Sequence, residues 1–293
     1  MARLLIVISV FLILSTTISC NFIDREHVID SVYMDYDHSK VPYQLYKPTI
    51  EAKLHYDLEE ISGLTYYKEG LLAAIEDETG KIYLLDAVTG EVKRKIKFAK
   101  SGDYEGIEII GEHVFVMKSN GLLYDFFITN EDKVKANVTE TAFTSRNNLE
   151  GLGLHNGKLL IACKGEGEIA GVKATGKGIY SYDLGKATPL LFIHKGYLNS
   201  HIAERDYFKT IKQFDPSGIA THPLNGDIYI LSADHVLVVY DKELKLKEVV
   251  KLDKHIFRQP EGICFSPQGQ LYLSSEGDGE RGELFVFEIL LSN

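Results

Sequence analysis

The 293-residue sequence predicts an all-β fold: a β-propeller of four-stranded blades, with five as the preferred count and six as the alternative. Three observations predict it. A motif of Glu or Ser, then Gly, then a branched aliphatic recurs as Ser62-Gly63-Leu64, Glu105-Gly106-Ile107, Glu150-Gly151-Leu152, Ser217-Gly218-Ile219 and Glu261-Gly262-Ile263. Its glycines are spaced by 43, 45, 67 and 44 residues, and a period near 44 is the length of one blade. Composition agrees, because 17 Tyr, 14 Phe and 25 Gly against 3 Met suit strands and tight turns better than a helical bundle.

The first twenty residues read as a separate object. Arg3 gives a positive start, Leu4 to Leu14 is an apolar run, and small or hydroxyl residues lead to Cys20. The run is too short to span a bilayer and matches the apolar stretch of a signal peptide. Ser19 directly before Cys20 looks like a lipoprotein signal, with Cys20 lipidated, although Thr17 stands where a Leu is usual. Residues 1–19 are therefore expected to be a signal peptide and 20–46 a polar tether. Residues 47–293 are expected to be one propeller domain.

Within each unit the motif opens a first strand, and a turn such as Asn156-Gly157 or Asn225-Gly226 follows. Second strands are expected at Leu71–Ile75, Val114–Met117, Leu159–Ala162, Ile228–Leu231 and Leu271–Leu273. Third strands such as Val236–Tyr240 are apolar on both faces, as sheets sandwiched between neighbouring blades require. Fourth strands such as Val92–Phe98 alternate and belong to the wetter outer edge. The long spacing of 67 leaves room for one inserted helix around 198–212, with Leu198, Ile202, Phe208 and Ile211 on one face. The last unit stops after three strands. The strand-like stretch Thr49–Leu58 is expected to supply its fourth and close the ring, removing two exposed edges.

Cys163 and Cys264 lie inside apolar strand patterns and read as small buried hydrophobes rather than a disulfide framework. Asn137-Val138-Thr139 reads as a turn. His155, His201, His222, His235 and His255 fall at scattered positions and are expected to be surface or turn histidines. The glycine-studded segment from Lys164 to Gly178 lacks a phosphate-loop signature and is expected to overhang the channel.

Asp103-Tyr104-Glu105-Gly106-Ile107, Asp215-Pro216-Ser217-Gly218-Ile219-Ala220 with His222-Pro223, and Pro260-Glu261-Gly262-Ile263-Cys264-Phe265 together resemble the SdiA-regulated (YjiK-like) family. The resemblance runs over roughly residues 50–289. It implies a β-propeller located in the cell envelope, with some relatives described as phytase-like and others linked to calcium handling.

In a blade, the start of strand one and the end of strand two meet at the same mouth of the channel. That gathers Glu105, Glu150 and Glu261 with Glu76, Asp77, Lys118, Lys164, Asp234 and Glu276. Two carboxylates about 5 Å apart repel by roughly 3 kcal/mol at an effective dielectric near 20. Such a ring must share protons, pair with Lys118, Lys164, Arg146 or Arg258, or hold a cation. The repeating Glu105, Glu150 and Glu261 are candidates either for metal ligation or for accepting backbone N–H bonds from the next blade. The varying Glu76, Asp77, Lys118, Lys164, Asp234 and Glu276 are candidates for ligand binding. Ca²⁺ is the expected metal, because the donors are oxygens without His/Cys ligand spacing.

A net charge of −10 with no basic stripe argues against nucleic acid as a partner. The expected partner is instead a small molecule or envelope protein, bound by a monomer that a lipid anchor holds to the membrane. The periplasmic or outer-surface face of the envelope is the expected location. A non-enzymatic binding protein is favoured over a Ca²⁺-dependent phosphoester hydrolase, and a purely structural scaffold is the third reading.

Overall fold

The computed structural model describes residues 41–183, 185–205 and 209–290. The signal peptide, Cys20 and the tether as far as residue 40 lie outside the described residues.

Five four-stranded antiparallel sheets form the blades of a propeller. Blade 1 contains β2 (Ile61–Lys68), β3 (Leu71–Glu76), β4 (Lys81–Asp86) and β5 (Val92–Lys97). Blade 2 contains β6 (Tyr104–Ile110), β7 (His113–Lys118), β8 (Leu122–Phe127) and β9 (Asn137–Glu140). Blade 3 contains β10 (Leu149–His155), β11 (Lys158–Cys163), β12 (Lys177–Asp183) and β13 (Lys186–Ile193). Blade 4 contains β14 (Pro216–Thr221), β15 (Ile228–Ser232), β16 (Val236–Tyr240) and β17 (Leu246–Lys251). Blade 5 contains β18 (Gln259–Phe265), β19 (Leu271–Glu276) and β20 (Glu283–Phe287), and takes its fourth strand from β1 (Ile50–Lys53). The pairing of Ile50 with Val286 and of Lys53 with Glu283 fixes the register of that closure.

Burial follows the position of each strand. β15, β16 and β20 are buried at every residue, whereas β5 alternates and β9 is exposed throughout. The Asn137-Val138-Thr139 stretch, expected as a turn, is part of β9, an outer edge strand that needs no apolar face. Five hydrophobic clusters fill the five gaps between adjacent blades. Ile75 and Val116 pack between blades 1 and 2, for example, and Leu64 and Tyr272 between blades 5 and 1. Each blade thus buries both faces against its neighbours, and no single central core exists.

Two elements differ from expectation. The inserted helix, α1, spans Lys195–Arg205, beginning and ending earlier than the sequence indicates. Its Leu198 and Ile202 pack between blades 3 and 4; Ile211 joins the same cluster from non-helical chain, and Phe208 lies outside the described residues. The second difference concerns residues 41–46, expected as the end of the tether. Val41, Tyr43 and Leu45 are instead buried against blades 4 and 5, with Leu45 wholly excluded from solvent. The packed chain therefore starts no later than residue 41. Its alternating apolar residues are too few to register as a strand by pattern alone.

Candidate functional site

The motif glycines circle the channel because each sits where its strand touches the inner strand of the next blade. A Cβ on Gly106 would stand 2.5 Å from Leu152 Cβ, and one on Gly218 would stand 2.6 Å from the Glu261 carbonyl oxygen. Gly262 closes the circle, since a Cβ there would lie 2.6 Å from Leu64 Cβ in blade 1. Ser62 and Ser217 add a hydroxyl bond across the gap, donating to the carbonyls of Tyr104 and Pro260 at 2.7 and 2.8 Å.

A second device aims the Glu and Ser side chains. In every blade the pairing of the first two strands slips at the motif, so Ser62, Glu105, Glu150 and Ser217 are the extra residues of a β-bulge, and Glu261-Gly262 occupy the slip in blade 5. A bulge turns its side chain out of the regular pleat. Here that brings Ser62, Glu105, Glu150, Ser217 and Glu261 to one central constriction with the aliphatics Leu64, Ile107, Leu152, Ile219 and Ile263. The free space at this waist is about 10 Å³, about the room one water molecule needs.

At the mouth where the first strands begin, the carboxyls crowd. Burial, followed by the charges of Glu150, Asp103 and Glu261, holds the Glu105 carboxyl far above the usual carboxylate range. Glu150 and Glu261 are 5% and 2% exposed, and burial raises both in the same direction. Glu276 is pushed up to about 8 by burial and then by Glu60 and Asp77. Asp77 is pushed up to about 6 by burial and by Glu60. Its Oδ1 is buried without a hydrogen-bond partner among the described residues.

Lys164 is the cation in their midst. Its Nζ lies 3.2 Å from Glu150 Oε1. Burial works against the ammonium, but the attraction of Glu150 and Glu261 outweighs it and raises its pKa. Asn148 donates to Glu150 at 2.9 Å, and Gln259 donates to Glu261 at 3.0 Å and to Glu276 at 2.5 Å.

The remaining predicted site residues behave differently. Glu76 is spent on its own turn, accepting the N–H groups of Glu78 and Thr79 at 2.9 and 3.0 Å. Asp234 accepts the N–H of Asp215 at 2.8 Å. Lys118 places its ammonium 5.5 Å from the centre of the Tyr104 ring. Arg146 and Arg258 pair with Glu166 and Glu280, each at 2.7 Å, and neither neutralises the carboxyl cluster. The hydrogen bonds of Glu150 and Glu261 run to side chains, so the blade-locking role considered for them falls to Ser62 and Ser217.

Sequence reasoning missed a second repeated position, three residues before each motif glycine. Glu60, Asp103, Asn148, Asp215 and Gln259 stand there, polar in all five blades, and each contacts or charges the cluster or its lysines. Lys177, which pairs with Asp215 at 2.7 Å and also donates to the Lys164 carbonyl, was likewise overlooked.

Among the described residues no three His, Cys, Asp or Glu side chains converge where they could hold one ion together. The side-chain amides of Asn148 and Gln259 and the Lys164 ammonium lie among the carboxyls.

The opposite mouth, where first strands end, opens into a cavity of about 480 Å³. Two histidines expected at the surface line it. His222 is 1% exposed and lies against Tyr43, Tyr229 and Phe265, and half-buried His155 faces Thr221 at 3.2 Å. His201 on α1 is also buried. Cys163 and Cys264 are free and buried, as expected.

Fold and site together define a five-bladed β-propeller with a carboxyl-rich channel mouth. Over residues 39–154 the chain matches the family model described as SdiA-regulated, so the resemblance read from the motifs is borne out across that span. A comparison with curated protein sequences finds no match. Among solved structures, a glutaminyl cyclase from Myxococcus xanthus superposes with a TM-score of 0.58 at 13% identity, covering 84% of this chain and 97% of its own. A luciferin-regenerating enzyme gives 0.43 at 13% identity, covering 78% of each chain. The WD40 propeller domain of Doa1 gives 0.45 at 13% identity, covering 78% of this chain and 63% of its own. At such identity the cyclase likeness speaks for the fold alone.

Proposed function

We propose that the protein is an exported, membrane-anchored propeller that binds a positively charged ligand or partner at its carboxyl-rich mouth. One observation carries this reading: Glu105, Glu150, Glu261 and Glu276 all have raised carboxyl pKa values around a single central ammonium, Lys164. Carboxyls kept protonated by burial and by one another release those protons where a bound cation compensates their charge. Lys164 is the one ammonium paired within the cluster, a sparse set of cations for an anionic phosphoester, which weighs against the hydrolase reading. Export and anchoring rest on residues 1–20 and on the implication of the family.

Calorimetric titration of the full-length protein tests this, with a tetralysine peptide and CaCl₂ as separate probes, in two buffers of different ionisation heat. The expected result is binding by at least one probe with proton release, about tenfold tighter at pH 8.5 than at pH 6, because fewer protons must be displaced. The Glu105→Gln/Glu276→Gln variant should lose it. No heat from either probe, or heat untouched by that variant, overturns the assignment of cation binding to this mouth. Turnover of a generic phosphoester or of phytate would restore the enzyme reading.

A further inference from the structure

The second mouth carries its own design. Two residues after each motif glycine the five blades place Thr65, Glu108, Gly153, Ala220 and Cys264. At this level of the ring one blade supplies a carboxyl and the other four supply small side chains or none. A residue that only locked blades together would recur, as the motif glycine does. This position varies instead, and the small residues leave the 480 Å³ cavity that Glu108 lines. That volume lies within the range of small-molecule sites, about 300–1,000 Å³.

The chemistry of the walls narrows the occupant. Thr65 and the Ile109 N–H donate to the same Glu108 oxygen, Oε1, at 2.7 and 2.8 Å, which fixes the carboxyl on the cavity wall. Burial pushes the Glu108 carboxyl up to about 7, against those two hydrogen bonds, so it ionises near neutrality. Burial also depresses the pKa of both His155 and His222, which keeps the rings neutral there. Tyr66 and Phe265 supply flat apolar walls. Among its lining residues, Glu108 is the one carboxylate, and neither Lys nor Arg is present.

We propose that this cavity is a second binding site, separated from the first mouth by the narrow waist, for a small molecule carrying a primary ammonium on a flat apolar body. Glu108 receives the ammonium and the aromatic walls receive the body. The proposal does not depend on the function assigned to the other mouth.

Benzylamine and its neutral counterpart benzyl alcohol are the probes, titrated into the full-length protein at pH 8 by ligand-observed NMR. Benzylamine is expected to bind at least tenfold more tightly than the alcohol. Glu108→Gln should erase the tenfold preference without lowering the melting temperature, and Glu131→Gln, an exposed carboxyl outside both mouths, should leave the preference intact. Absence of benzylamine binding, equal binding of the two probes, or a preference that survives Glu108→Gln overturns the assignment.

Discussion

The Lys164 ammonium stands 3.2 Å from the Glu150 carboxylate, with side-chain exposures of 31% and 6%. Glu150 is a bulge residue at the start of blade 3, and Lys164 follows the second strand of the same blade. Lys164→Met would leave a buried carboxyl beside Glu105 and Glu261 with no cation among them. Complete burial of both partners would make the loss larger, but Lys164 retains solvent contact. We expect a loss of about 1–3 kcal/mol at pH 7.5, measured by urea unfolding. A smaller loss at pH 5 should follow, because the carboxyls are then protonated.

Glu276 gives a pH signature of stability. Its folded-state pKa of about 8 lies above the ordinary carboxylate value, so the folded protein holds the proton more tightly than the unfolded chain. That contribution is fully present below the unfolded pKa and is lost as pH rises towards 8. Glu276→Gln should therefore raise the melting temperature by about 3 °C at pH 8.5 and leave it unchanged at pH 4.5. Equal shifts at both pH values would contradict the assignment.

The glycine ring can be tested without touching any charge. Gly218→Ala forces a Cβ to within 2.6 Å of the Glu261 backbone oxygen, where relief requires moving a neighbouring blade. We expect a loss of about 2–4 kcal/mol in denaturant unfolding. Gly196→Ala is the control, since it sits on α1 with open space around it. That change should stabilise by about 0.5–1 kcal/mol.

Leu45→Ala separates a packed segment from a tether. Leu45 is wholly buried in the cluster shared by blades 4 and 5, so truncation should cost about 2–4 kcal/mol. A free tether would register no change in the same unfolding experiment.

The blade count, the ring of glycines and the closing strand were legible because each depends on a periodic constraint. Gly106 and Gly218 recur where a Cβ has no room, and that requirement repeats every blade. The second strands and most third strands followed from apolar runs of the right length. The division of labour among the acids was less legible. Glu76 and Asp234 have the same chemistry as Glu276, and only three-dimensional proximity to the Thr79 and Asp215 N–H groups diverts them into capping. Asp103 and Gln259 carried a readable signal three residues before the glycine, hidden because the position mixes acids with amides. Burial of His222 depends on Tyr43, 179 residues away, whose ring packs against it and whose hydroxyl meets its Nε2 at 2.8 Å. No local pattern reports such a contact.

The union of β1 with β20 has a consequence for biosynthesis. Blade 5 needs residues from both ends of the chain, so it cannot assemble until synthesis has reached Phe287. Until then blade 1 has no fifth-blade neighbour, and β1 remains an unpaired strand able to seek a partner on another molecule. A nascent or truncated chain is thus held open by its own topology, in the state most vulnerable to proteolysis and misassembly. Stop codons a few residues before β20 should leave an incomplete ring rather than a slightly shortened protein.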